Sequence, residues 1–293
     1  MKSILLATTA LLALAGVARA ADAVAPYEPA EAPAVIESRI KGAFEIGFWA
    51  NNYDQTDDNE SDTPLGGYAT AFINFAVTPS FIIAFDAQAE MLDIRGDDFG
   101  GLAPSYASVI GGSLNYRFGD ASIGAFAGAG VTDHEESDIG ALGGLQASYD
   151  FGTTTVYGQV GYADIRVDEE DSGFTGGFGR LGVVHGFTDR IALGAAVEYG
   201  HAKEGYEDTG DEGTFWSAGL KGAMRIAETP VFATASYDYR KFEANTEDEA
   251  HENSFRIGIS IPFGGAATAK DTFNVMATPV TPFRAASYGE VLD

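Results

Sequence analysis

The chain has 293 residues, with 43 Asp plus Glu, 17 Lys plus Arg, a formal net charge of −26 and no Cys. Without Cys there is no disulfide framework and no Cys-ligated zinc or iron–sulfur site. So negative a chain has little with which to neutralise phosphates, which argues against nucleic acid as a partner. Its 20 Phe, 13 Tyr and 37 Gly are too many for a disordered acidic chain.

Residues 1–20 carry an early cation, Lys2, an apolar run and the small-x-small site Ala18-Arg19-Ala20, the pattern of a cleaved secretory signal peptide. Residues 21–40 are rich in Ala, Pro and Glu and read as a flexible periplasmic leader. From 41 to 263 one unit repeats: about ten residues of period-2 alternation, then a turn. Strands are expected near 41–52, 64–77, 80–92, 105–118, 121–131, 140–151, 154–165, 174–187, 190–202, 214–227, 230–240 and 254–263. Short turns (78–80, 119–121, 152–154, 188–190 and 228–230) alternate strictly with longer acidic connections. Those six connections (53–63, 93–104, 132–139, 164–173, 203–213 and 240–253) hold 27 of the 43 acids.

Twelve such strands, with short turns at one end and long loops at the other, predict an all-β, twelve-stranded antiparallel transmembrane β-barrel of up-and-down order. Closure is what allows it to cross hydrocarbon, because every backbone polar group is then paired. Alternation assigns the faces. Phe255, Ile257, Ile259, Ile261 and Phe263 share one side, with Arg256, Gly258 and Ser260 on the other. Outward aromatics band both ends: Phe48, Tyr162, Tyr199, Trp216, Tyr237, Tyr239 and Phe255 near the long loops, and Phe81, Tyr116, Phe118, Tyr149, Phe151 and Phe263 near the short turns.

The segment Arg256-Ile257-Gly258-Ile259-Ser260-Ile261-Pro262-Phe263 resembles the β-signal read by the outer-membrane assembly machinery, with Arg256, Gly258, Ile261 and Phe263 at its defining positions. On this segment and the strand pattern, the chain is similar to bacterial porin-like outer-membrane β-barrel proteins. The signal peptide and leader resemble those of alphaproteobacterial ones. The resemblance implies a location in the cell outer membrane and contact with membrane lipids and lipopolysaccharide. Two departures stand out. No loop is long enough to fold inward as the constriction of sixteen-stranded porins. The β-signal is followed by 264–293, a segment too short for another membrane hairpin and expected in the periplasm. There it either hangs free, re-enters the lumen or binds a partner.

Charges on the wall belong inward, because an Arg or Lys facing mid-bilayer lipid costs about 2–4 kcal/mol. The lumen is therefore expected to be lined by Glu45, Asp86, Glu90, Arg117, Asp150, Arg180, Glu198, Lys221, Arg225, Asp238, Arg240 and Arg256. Asp238 with Arg256, and Glu198 with Lys221, are expected to pair at like heights on neighbouring strands. The inward glycines Gly111, Gly124, Gly128, Gly161, Gly194, Gly219 and Gly258 leave room, which favours a water-filled passage over a plugged interior. His134, His185, His201 and His251 form no catalytic constellation. Gly176–Gly182 is no phosphate loop, because no Lys-Ser/Thr follows it. The function expected is passive diffusion of small hydrophilic solutes with mild cation preference and no cofactor. A non-channel structural or partner-binding barrel is the alternative, and an outer-membrane hydrolase a more distant one. Runs such as DDNESD (57–62) and DHEESD (133–138) raise the local cation concentration and hold divalent cations only loosely, or else serve solubility.

Overall fold

The computed structural model describes residues 39–55, 61–62, 65–91, 106–133, 137–166, 173–202, 213–243, 249–265 and 267–289. The signal peptide, nearly all of the leader and much of the acidic connections lie outside the described residues.

Strands β1 (Ile40–Gln55), β3 (Leu65–Thr78), β4 (Phe81–Met91), β5 (Tyr106–Phe118), β6 (Ala121–Asp133) and β7 (Ser137–Asp150) form one half of the wall. β8 (Thr154–Arg166), β9 (Gly173–Thr188), β10 (Ile191–Ala202), β11 (Gly213–Arg225), β12 (Phe232–Glu243) and β13 (Glu249–Phe263) form the other. A two-residue strand, β2 (Ser61–Asp62), folds back onto Tyr53 and Asp54 in the first long connection. Each barrel strand pairs antiparallel with its sequence neighbour, and β1 pairs with β13 to close the ring. The closing seam runs from Gly42 opposite Phe263 to Gln55 opposite Ala250. The ring is the twelve-stranded meander read from the alternation.

Short turns are built for tight reversal. At 151–153 Gly152 takes a φ of +83°, a region open to Gly without a Cβ clash. Its N–H is held 2.8 Å from Asp150 Oδ1.

The outward face is apolar and bare. Ile46, Phe85, Leu145, Val160, Leu181, Val197, Leu220 and Ile257 all project there, each about half exposed or more. Water does not tolerate so large a contiguous apolar surface, whereas lipid does. The aromatic bands flank it as expected. Tyr116 stacks on Phe118 with centroids 6.4 Å apart, and Tyr149 meets Phe151 at 4.5 Å.

Two ends differ from the sequence reading. β12 runs on to Glu243 and β13 begins at Glu249, so the last hairpin is taller than the strands expected at 230–240 and 254–263. Alternation continues through it: Phe242 and Ala250 point inward and are buried. Glu252, counted among the loop acids, is thereby a wall residue inside the barrel, fully buried. Leu145→Arg, which places a cation on the lipid side of β7, is expected to lower stability by about 2–4 kcal/mol. Urea unfolding in lipid vesicles measures it.

Candidate functional site

A twelve-stranded ring at ordinary tilt is roughly 25 Å across its backbone, more than side chains alone can fill. The chain fills it with its own C-terminal segment. Of the three courses the sequence leaves open for it, the described part takes re-entry: residues 267–289 enter the lumen at the short-turn mouth and climb toward the long-loop end.

The path can be followed bond by bond. Near the short turns Ala269 N–H donates to Asp189 O at 2.9 Å. Arg225 donates to Ala267 O, and Lys270 Nζ reaches Asp150 Oδ1 at 2.9 Å and Gly152 O at 2.7 Å. Here Ala269–Thr272 make a turn of 3-10 helix, with Asp271 accepting from Thr268 N–H at 2.7 Å. Halfway up, Thr278 donates its N–H and its hydroxyl to the two oxygens of Asp86, both at 3.0 Å, while Gln88 Nε2 donates to Thr278 O at 2.9 Å. Gln159 Nε2 donates to Ala277 O at 3.1 Å. Higher still, helix α1 (Thr281–Gly289) begins with Pro282 in its first turn, where a missing N–H costs nothing. Thr281 Oγ1 donates to Glu198 Oε2 at 3.0 Å.

Helix α1 rests on an apolar bed. Phe283 and Ala286 are fully buried among Ala107, Val109, Phe126, Phe178 and Phe215. These inward apolar side chains were not anticipated, because the alternation had been read as apolar out and polar in. Their signal was present in the 174–187 strand, where both faces carry apolar residues.

Opposite the bed lies a chain of charges. Arg284, 1 % exposed, bridges two buried carboxylates. Its Nη2 meets Glu90 Oε2, and its Nη1 lies 3.1 Å from Glu252 Oε1. Arg256 Nη2 contacts Glu90 Oε1 at 2.6 Å, and Arg240 Nη1 contacts Glu252 Oε1 at 2.8 Å. Five charges thus alternate in sign, Arg256–Glu90–Arg284–Glu252–Arg240, with the central member supplied by the tail. Buried ions persist only when paired and hydrogen-bonded in this way. Neither Arg284 nor Glu252 was among the lumen residues expected. The signal for the first is a lone Arg in an otherwise apolar run, Pro282-Phe283-Arg284-Ala285-Ala286.

Both expected pairs dissolve. The register sets Asp238 opposite Ser254 and Arg256 opposite Ser236. Likewise Glu198 lies opposite Ser217 and Lys221 opposite Gly194. Distance from the loop middle was a poor guide because the hairpins are not centred on those loops. Lys221 instead crosses the lumen to Glu45, Nζ to Oε2 at 2.7 Å. Glu45 also accepts from the Tyr68 hydroxyl at 2.8 Å and from Thr234 Oγ1 at 3.1 Å. Arg180 lies over the Tyr157 ring, 5.6 Å from its centroid, and Arg225 over Phe232 at 5.1 Å. Asp238 lines the remaining space. Arg117 and Asp150 sit exposed at the short-turn end.

The seven inward glycines mostly seat larger side chains, although Gly194 and Gly219 also line open space. A Cβ on Gly111 or Gly128 would strike Thr278, and one on Gly194 would strike Phe273. Those on Gly161, Gly219 and Gly258 would strike Phe178, Asp238 and Tyr68. Gly124 has its space taken by Asn115, which thereby reaches past β6 to accept from Gln146 Nε2 at 2.7 Å. Gln146 in turn accepts from Gln159 at 3.1 Å, so a polar ladder crosses from β5 to β8 under the tail. Small residues are seats for larger ones here.

Among the described residues a cavity of about 210 Å³ stays open between the tail and the wall. Among the described residues no cluster of His, Cys, Asp and Glu is arranged to hold a metal. His185 faces outward with Nδ1 2.7 Å from Thr154 Oγ1, and His251 Nδ1 lies 2.8 Å from the Tyr239 hydroxyl. His134 lies outside the described residues.

No protein-family model matches the sequence, and no curated protein matches it. Solved structures do resemble it. An outer membrane channel from Pseudomonas putida F1 superposes with a TM-score of 0.50 at 10 % identity, covering 81 % of this chain and 100 % of that one. A KdgM porin superposes with a TM-score of 0.44 at 11 % identity, covering 74 % and 99 %. The translocator domain of the autotransporter NalP from Neisseria meningitidis gives 0.41 at 14 %, covering 89 % and 98 %. At such identities the likeness is one of fold: a closed outer-membrane type of barrel.

Arg284→Met leaves Glu90 and Glu252 each short of a partner. It is expected to destabilise the seated tail by about 3–5 kcal/mol. Because the native chain has no Cys, a single Cys at Ala285 reports the change. Its maleimide labelling should be slow beside Arg284 and fast beside Met.

Proposed function

We propose that this protein is an outer-membrane diffusion channel for small hydrophilic solutes whose resting lumen is occupied by its own C-terminal segment. The observation that carries the reading is the ring itself. Its exterior suits lipid, and its interior, charged on one side and apolar on the other, is wide enough to take residues 267–289. The fold likeness to the Pseudomonas channel supports it. A barrel serving only as an anchor needs no separate segment to fill it: a narrower ring can be packed by wall side chains alone.

The finer parts of the reading rest on sequence. The signal peptide pattern supports export. The segment Arg256–Phe263, with Arg256, Gly258, Ile261 and Phe263, supports recognition by the outer-membrane assembly machinery. The acids counted in the long connections, Glu252 excepted, support a mild cation preference, since a negative rim concentrates cations and repels anions. The same acids suit loose divalent-cation bridges to lipopolysaccharide. The reading involves no cofactor and no catalysis.

Planar-bilayer conductance tests it. The full chain is expected to show rare, small openings, and a chain ending at Gly265 stable steps with cation over anion selectivity. Heat-modifiable gel mobility confirms that the shortened barrel folds; should it not, full-length Arg284→Met takes its place and is expected to open more often. A folded, tail-free barrel without steps overturns the channel in favour of a structural or partner-binding barrel. Anion selectivity overturns the role given to the acidic rim.

A further inference from the structure

The cavity beside the tail is walled by side chains of several strands and by Phe273 and its neighbours in the tail. Most of its charges are spent. Lys221 and Arg256 are held by carboxylates at 2.7 and 2.6 Å, and Asp86 takes two donors from Thr278. Two groups are not. Asp238 has no hydrogen-bond partner among the described residues, although its carboxylate lines the cavity. Arg180 lines the same cavity; its Nη1 reaches Gln159 Oε1 and Ala277 O only at 3.5 Å, the outer limit of a useful bond, while its guanidinium lies over the Tyr157 ring and in the field of Asp86, Glu198 and Asp238. One acid without a hydrogen-bond donor among the described residues and one guanidinium with only long hydrogen bonds thus share one cavity. Beside them Phe72, Val184 and Phe273 supply apolar wall.

We infer that this cavity binds a small zwitterion of the free amino-acid type, its carboxylate on Arg180, its ammonium on Asp238 and its side chain against the apolar wall. The complementarity is chemical. A guanidinium favours a carboxylate, with two parallel donors available to it. A carboxylate that no described residue donates to favours an ammonium. A lone anion or a lone cation would satisfy one group and leave the other as it is. Volume sets the size. About 210 Å³ corresponds to roughly seven water volumes, enough for one amino acid and too little for an oligomer.

The inference names a solute class for the channel proposed above and so rests on that reading, but binding is measurable without conduction. Isothermal calorimetry on the full-length protein in detergent uses three probes that share the leucine side chain: L-leucine, 3-methylbutylamine and 4-methylpentanoate. Leucine is expected to bind about tenfold or more tighter than either single-charge analogue. Asp238→Asn should weaken leucine and the amine by about tenfold and leave 4-methylpentanoate unchanged. Arg180→Gln should weaken leucine and 4-methylpentanoate and spare the amine. If either variant fails to fold, the ranking of the three probes on the native protein decides alone. No heat with leucine, equal affinity for all three probes, or variants that bind like the native protein would overturn the site. A protein that binds leucine but never conducts keeps the site and loses the channel. One that conducts and binds none of them does the reverse.

Discussion

Everything in this molecule follows from the need to leave no backbone N–H or C=O unpaired against lipid. A sheet meets that need only by closing on itself, and here the seam between β1 and β13 does so over fourteen paired residues, from Gly42–Phe263 to Gln55–Ala250. Closure fixes the circumference through the number of strands, and the circumference fixes an interior too broad for wall side chains to fill. The C-terminal segment is the answer to a problem that the ring creates.

How that segment is held reflects two kinds of surface inside one wall. Along β5 to β11 the upper interior is apolar, and α1 lays Phe283 and Ala286 against it. Across the lumen, β4, β12 and β13 offer Glu90, Arg240, Glu252 and Arg256, and the same helix offers Arg284. Apolar contact is tolerant of position, whereas a guanidinium between two carboxylates is not. Burial therefore supplies much of the attraction, and the ion chain selects one register of the tail over its neighbours.

The outer half of the structure was legible in the sequence because lipid imposes a strict two-residue rhythm. Ile257, Ile259 and Ile261 read outward with no knowledge of any neighbour. The inner half obeys no such rhythm. Phe126 and Phe178, whose centroids lie 6.3 Å apart, face inward because a helix from 100 residues or more away covers them. Glu252 looked like one more loop acid until the height of the last hairpin placed it on the wall. The pairs expected of Asp238 and Glu198 failed for a related reason: a register slip of two residues for the first and four for the second leaves the face unchanged but moves a charge out of reach. Periodicity reports which face a residue takes and is silent about what waits there.

The alternating chain of five buried charges divides the protein into two electrostatic populations. Glu243 and Glu249, which flank the last long connection and meet solvent, are screened over about 8–10 Å at ordinary ionic strength, and more strongly in brine. Glu90, Glu252 and Arg284, almost wholly buried, lie where mobile ions do not reach. Rising salinity therefore quiets the mutual repulsion of the rim and leaves the grip on the tail nearly untouched. The molecule's outward charge follows the composition of the surrounding water, while its inner fastening is insulated from it.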